Sequence, residues 1–352
     1  MALFSRSKGV VGLDIGSFAI KLVELTDRKG QYTLRSLGIE PLSPEAIVDG
    51  SIMDSSLVVD AIETLVTDHS PRAQGFATSL SGHSVIIKKI ELPVMEPDEL
   101  AESIQWEAEQ YIPFDINDVR MDYVLLSDDP YASDSMEVLL VAVKREKVND
   151  YTSVISQAGK HPALVDVDAF AIQNAYEINY DIDPSRVIAL VNMGAGVTTI
   201  NVLARGRTVF WRDISFGGSH FTDALQREFN LSYDQAESFK RGSAVDGHEP
   251  EDAQAVLEGV ATEMAGEIQK TFDFFSATSG ESAVDQLVLS GGCSMTPGLV
   301  EVLSERLGVF IERMDPLRNI QVKDTDFDPE FVASIAPMLA VSVGLAVRRV
   351  GE

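Results

Sequence analysis

Residues 9–25 read GVVGLDIGSFAIKLVEL, and the fold follows from how this stretch bends. An apolar run from Val10 to Leu13 meets a carboxylate at Asp14; Gly16 and Ser17 follow, and a second apolar run begins. Two strands joined by a tight turn over Asp14–Ser17 are expected, with Gly16 supplying the permissive backbone. Residues 31–40 continue as another strand. The pattern returns at 186–206, RVIALVNMGAGVTTINVLARG, where Asn192–Met193–Gly194 lines up with Asp14–Ile15–Gly16. A unit repeated in this way points to an internal duplication, two hairpins facing one another. Residues 207–218, RTVFWRDISFGG, add a third strand to the second copy.

The remaining chain alternates between the two periods. Strands are expected at 84–92, 120–126, 136–144 and 285–290. Helices are expected at 54–68, with Leu57, Ala61 and Leu65 on one face, and at 97–112, where Leu100, Ile104, Ala108 and Ile112 recur every fourth position until Pro113. Further helices are expected at 146–158, stopped by Gly159, and at 168–178, 219–229, 233–241 and 251–275. Another should begin near Pro297, and an apolar helix over 337–350 should close the chain. Residues 127–135, SDDPYASDS, read as an acidic exposed loop, and 311–334 as irregular. Strands interleaved with helices imply an α/β architecture.

A chain of 352 residues exceeds what one core serves, so two or three domains are expected. The net charge of -27 repels phosphate backbones and anionic lipid, which argues against nucleic acid and direct membrane binding. One cysteine, Cys293, excludes an internal disulfide and suits a reducing compartment. It reads as a small buried residue. No secretory signal is read at the start, and no apolar stretch is read as reaching the length of a membrane-spanning helix. The nearest, Ile335 to Val347, reads as a core helix. Leu3 and Phe4 with Arg6 and Lys8 are too few to anchor in a bilayer and read as a mobile arm. His69, His83, His161, His220 and His248 show no metal spacing.

Two glycine turns at the mouths of facing hairpins would form a phosphate clamp, because their backbone N–H groups converge on an anion. Ser17 and Thr198 would add hydroxyl donors, and Lys21 would neutralise phosphate charge. Asp14 suits such a site only through a magnesium ion and its waters. Taken alone, Asp-x-Gly-Ser is also an ordinary hairpin turn. The third element, LVLSGGCSMTPGL over 287–299, brings Gly291 and Gly292 to the end of a buried strand. A flat ring could lie on backbone there, or the turn could be merely tight.

In this order the elements resemble the motifs of the actin-like ATPase superfamily, which includes actin, heat-shock chaperone ATPases, sugar kinases and FtsA. DIGSFAIK (14–21) resembles its first phosphate motif, NMGAGVTT (192–199) its second, and LSGGCSMTPG (289–298) its adenosine motif. The resemblance implies a duplicated, ribonuclease H-like fold with ATP and Mg2+ in a cleft between two lobes. It carries nucleotide contacts onto Asp14, Gly16, Ser17, Phe18 and Lys21, onto Asn192, Gly194, Ala195, Gly196 and Thr198, onto the pair Gly217 and Gly218, and onto Gly291, Gly292 and Met295. Glu267 and Lys270 match an adenosine-contacting helix pair, although E-x-x-K is also an ordinary surface pairing. Asn192 stands where the second motif usually has Asp. An amide cannot take a proton, so binding is expected with weak hydrolysis or none. The missing acid also argues against a sugar or acetate kinase.

Residues 84–162 resemble the relocated 1C (SHS2-type) subdomain of FtsA and of the type IV pilus PilM family, and EAEQYIPF (107–114) most resembles PilM. FtsA carries a C-terminal amphipathic membrane helix, and none follows the last core helix here, so a polymerising division protein is the weaker alternative. The resemblance implies subdomain 1A over 1–83, 163–186 and 337–352, 1C over 84–162, 2A over 187–212 and 281–336, and 2B over 213–280. It implies a cytoplasmic protein held at the inner membrane by the N-terminal peptide of PilN, serving pilus assembly and twitching motility, with self-association into a ring. Val85, Ile87, Ile90, Ile104 and Ile112 are candidates for the peptide groove, or else plain core.

Overall fold

The computed structural model describes residues 9–126 and 135–350. The expected arm at residues 3–8 lies outside the described residues, as does the acidic loop apart from Ser135. The chain forms two compact units, Met1–Gly82 with Val154–Glu352, and His83–Ser153.

In chain order come β1 (Val11–Ile15), β2 (Ala19–Arg28), β3 (Gln31–Pro41), the short pair β4 (Ile47–Val48) and β5 (Ser51–Ile52), α1 (Ser55–His69) and β6 (Gly75–Leu80). The smaller unit holds β7 (Val85–Pro93), α2 (Pro97–Glu109), β8 (Val119–Leu125), β9 (Ser135–Lys144) and the start of α3 (Arg145–Gln157). Then follow β10 (His161–Val167), α4 (Asp168–Asn179), β11 (Val187–Met193), β12 (Thr198–Ala204), β13 (Arg207–Ile214), α5 (Gly218–Phe229), α6 (Tyr233–Lys240) and α7 (Gln254–Thr278). The chain continues through β14 (Gln286–Ser290), α8 (Leu299–Leu307), β15 (Phe310–Arg313), β16 (Ile320–Gln321), α9 (Pro329–Ile335) and α10 (Ala340–Ala346).

The larger unit is built from two sheets of one plan. The first has the order β10-β6-β1-β2-β3-β16, and the second, read from its other edge, β15-β14-β11-β12-β13. In each, three antiparallel strands lead, and a later strand pairs in parallel with the first of them. The duplication seen in the two glycine turns therefore extends through both sheets. Helices α4 and α10 belong to the core that the sheets share. Ile172, Ala175, Leu339 and Val343 pack there with Val23 and Ala77 of the first sheet and with Ile188, Leu190, Leu203 and Val288 of the second. A side chain on Gly344 would overlap the carbonyl oxygen of Ala171, so α10 approaches α4 as closely as backbones allow. The second half has its own core, in which Leu257, Met264, Ile268 and Phe275 of α7 join Ala189, Val191 and Val202 of the sheet and Phe221 of α5. Alternation along β11 thus sends Ala189 and Val191 to this core and Ile188 and Leu190 to the shared one, as a strand buried on both faces requires.

Several expectations shift by a few residues. Helix α1, capped by Asp54, which accepts from the N–H groups of Ser56 and Leu57, buries Val58, Ala61, Ile62 and Leu65 and leaves Leu57 of its first turn exposed. The helix expected near Pro297 begins at Leu299, after a short 3-10 turn over Gly292–Met295. Strands β10, β15 and β16 and helix α9 lie where no regular element was expected. The closing helix stops at Ala346. The helical run Pro329–Ala346 does have the length and composition of a membrane-spanning segment, contrary to the reading from sequence. Half of it is buried inside the protein, as a core helix would be.

The smaller unit is a three-stranded antiparallel sheet in the order β7-β9-β8. Leu100, Ile104 and Ala108 of α2, with Ile112 just beyond it, pack on Ile90, Leu92, Val138 and Leu140.

Candidate functional site

The first turn is built by the β1–β2 ladder, in which Asp14 stands opposite Lys21. The Lys21 ammonium lies 2.9 Å from the Asp14 carboxylate, and only 13% and 14% of the two side chains are exposed. Burial pushes the Asp14 carboxyl above its ordinary range; Lys21 opposes the shift, and the negative charge of Asp168 adds to it. Asp168 opens α4 and accepts a 2.5 Å hydrogen bond from the Ser79 hydroxyl. It was not singled out in the sequence, where it looks like any acid at a helix start.

The second turn repeats the geometry with uncharged groups. Asn192 stands opposite Thr199, the places that Asp14 and Lys21 hold in the first. The Asn192 amide oxygen accepts from the Ser290 hydroxyl at 3.0 Å. Thr199 donates to Asp213 at 2.7 Å, and Asp213 also accepts from the Gly82 N–H. The Gly194 N–H closes the turn onto the Val197 carbonyl at 3.0 Å. The amides of Gly218 and Ser219 donate to the carbonyls of Gly194 and Ala195, both at 2.9 Å, so the start of α5 is seated on the turn. Gly217 packs against the same two carbonyls. The Thr198 hydroxyl was expected to face phosphate. It is buried and donates to the Phe216 carbonyl at 2.7 Å, so it braces the turn instead.

The two turns face each other. A Cβ added to Gly196 would lie 4.0 Å from the Ser17 hydroxyl and within 4 Å of nothing else. Ser17 of the first turn thus faces Gly196 of the second, and the Asp14–Lys21 pair lies beside Gly16. Such a cradle fits an anionic tail, which needs close backbone and a cation. Among the described residues, no group of three or more His, Cys, Asp or Glu could hold a metal.

The third element follows β14. Gly291 has φ +86, and a side chain there would overlap the Met193 carbonyl. Its N–H donates to the Pro337 carbonyl at 2.7 Å, and Gly292 lies beside Met338. Met295, partly buried, ends the 3-10 turn. The Cys293 thiol is buried, which pushes its pKa up to about 11, against the lowering effect of Lys240.

Lys240 belongs to α6, whose start is fixed by a capping box between Ser232 and Gln235. Its ammonium donates to the Gly218 carbonyl at 3.2 Å, to the Thr222 hydroxyl at 2.8 Å and to Glu237 at 2.5 Å. Next to it, the Arg241 guanidinium pairs with Glu237 at 3.5 Å and sits over the Phe18 ring, 5.0 Å from its centroid. Glu267 and Lys270 instead form an exposed pair on α7, 2.6 Å apart. The E-x-x-K spacing that meets the double glycine is therefore the one on α6. Of the groove candidates, Ile87, Ile90, Ile104 and Ile112 are buried in the smaller unit, and Val85 is partly exposed. Trp106, 77% exposed, is the large apolar side chain that α2 presents outward.

The duplicated sheets and facing turns define an actin-like protein. A solved structure titled "PilM-PilN type IV pilus biogenesis complex" matches with a TM-score of 0.88 and 29% identity, over 99% of this chain and 100% of that one. MreB 5 of Spiroplasma citri bound to AMPPNP shares the fold, with a TM-score of 0.51 and 12% identity over 96% of this chain and 95% of that one. The ethanolamine utilization protein EutJ of Escherichia coli (strain K12) is 26% identical over 117 residues, 33% of this chain and 37% of that protein, so the match spans little more than a third of that relative. The family profile described as Type IV pilus assembly protein PilM matches residues 12–350. The chain belongs to the PilM family.

Proposed function

We propose that this protein is a nucleotide-binding docking platform of the type IV pilus machine, held on the cytoplasmic side of the inner membrane by the N-terminal peptide of a PilN-type partner and serving twitching motility. The observation that carries the nucleotide part is the approach of Ser17 to Gly196 across the two facing turns, with the Asp14–Lys21 pair beside Gly16. Lys21 would neutralise the phosphate tail of ATP, and Asp14 would hold the waters of Mg2+. Gly217, Gly218, Gly291 and Gly292 would let the nucleoside lie on backbone, beside Glu237 and Lys240 of α6. The backbone N–H groups of the two turns and Lys21 would together hold the negative charge of a bound nucleotide. Asn192 offers no base, which supports retention of ATP with slow hydrolysis.

The partner part is supported by family membership and by the PilN complex of the matching structure. Since Ile87 and Ile90 of β7, Ile104 of α2 and Ile112 just beyond it are interior, recognition of the peptide would fall to the outward side chains of β7 and α2, Trp106 foremost. Nucleotide can alter peptide affinity only by binding two conformations unequally. Isothermal titration of a PilN-type N-terminal peptide, with and without Mg·ATP, tests this. We expect binding in both conditions and an affinity change of about 5-fold or more, the lower range of allosteric coupling. Absence of peptide binding would overturn the platform; equal affinities would overturn the coupling.

A further inference from the structure

We infer that Phe18 and Arg241 form a clasp across the nucleotide gap that sets how long the nucleotide stays bound, an inference that rests on the nucleotide reading above. Phe18 belongs to the first glycine turn, and the Leu42 N–H fixes its carbonyl at 2.8 Å. Its ring is only partly buried, and the group stacked on it is a cation from the other half of the larger unit. Arg241 reaches the ring from the end of α6, with its Cζ 5.0 Å from the centroid, inside the roughly 6 Å range of a cation–π contact.

The guanidinium is also held from behind. Glu237 pairs with Arg241 through one oxygen and with Lys240 through the other, and Lys240 binds the Gly218 carbonyl under the second turn. Phe18, Arg241, Glu237 and Lys240 thus make a continuous chain from one glycine turn to the support of the other. Elsewhere the halves are joined by a buried bond from Asn201 to the Ala169 carbonyl at 2.9 Å and by partly buried ones, from Thr208 to Gln173 at 2.6 Å and from the Gly82 N–H to Asp213. Opening at the turns can keep the Asn201 and Thr208 bonds to α4, whereas it separates Phe18 from Arg241. The clasp is therefore a positioning device acting on exit of the ligand.

Stopped-flow release of a fluorescent ATP analogue from the full-length protein tests the clasp. Phe18→Leu and Arg241→Met are each expected to speed release about 2- to 30-fold, the range of one cation–π contact. The double variant should be no faster than the singles, because each removes the same contact. Phe18→Tyr keeps an aromatic face and should release more slowly than Phe18→Leu, a rescue that a purely structural role for position 18 would not require. Hydrogen exchange on the ligand-free protein should show faster exchange at 233–242 in Phe18→Leu. Unchanged release in the singles, effects that multiply in the double variant, or exchange unaltered at 233–242 would overturn the clasp while leaving nucleotide binding intact. Failure of the wild-type protein to bind the analogue would overturn the nucleotide reading and the clasp with it.

Discussion

Asp14 and Lys21 form a largely buried ion pair beside Gly16, and its chemistry gives a pH signature. Folding raises the affinity of Asp14 for a proton, chiefly through burial. The carboxylate needed for metal-bound water is therefore lost at a higher pH than for an ordinary aspartate of 3.8. As pH falls through that raised value, protons compete with Mg2+, and Mg·ATP affinity should weaken. Titration calorimetry at descending pH checks this, against an Asp14→Asn variant whose affinity should be lower and whose pH dependence should be shallower, keeping only the titration of the ligand itself. Equal pH dependence in the wild type and the variant would remove Asp14 from the site. The same fold repeats these positions as Asn192 and Thr199, so one hairpin brings charge to the gap and the other brings only dipoles.

At the scale of elements, the fit of α10 against α4 is the most demanding contact. Gly344→Ala places a methyl group on the Ala171 carbonyl and should destabilise the protein by about 3 kcal/mol or more, since backbone must move to admit it. Denaturant unfolding measures the loss; a change below about 1 kcal/mol would show that the helices separate easily. The turns and long strands were legible in sequence because glycine and apolar runs punctuate them. Strands β15 and β16, with four and two residues, are too short for a period to register. Strand β10 carries Pro162 and is only partly buried over most of its length, so it lacks an apolar signal. The α6 pair Glu237 and Lys240 has the same spacing as Glu267 and Lys270. What separates them is contact with Gly218, which no local pattern reveals. Burial of Ile90 and Ile104 was likewise undecidable from spacing, since a core stripe and a binding stripe look alike.

For the whole molecule, nucleotide that binds only the folded form must raise stability. Mg·ATP at 100 times its dissociation constant adds about 2.7 kcal/mol, which corresponds to several degrees in melting temperature for a unit of this size. Trp106→Phe leaves Trp211 of β13 as the single tryptophan, so its fluorescence follows the larger unit alone. A melting curve by that probe, unmoved by Mg·ATP, would argue against a site in the larger unit.

The two halves of the duplication also differ in when they can be finished on the ribosome. All five strands of the second sheet lie between residues 187 and 313, in one uninterrupted stretch. The first sheet begins at residue 11 yet takes β16 from Ile320–Gln321, and its core is filled by α10 at Ala340–Ala346. During synthesis the later-made half can therefore close first, while the earlier-made half stays incomplete until α10 has been made.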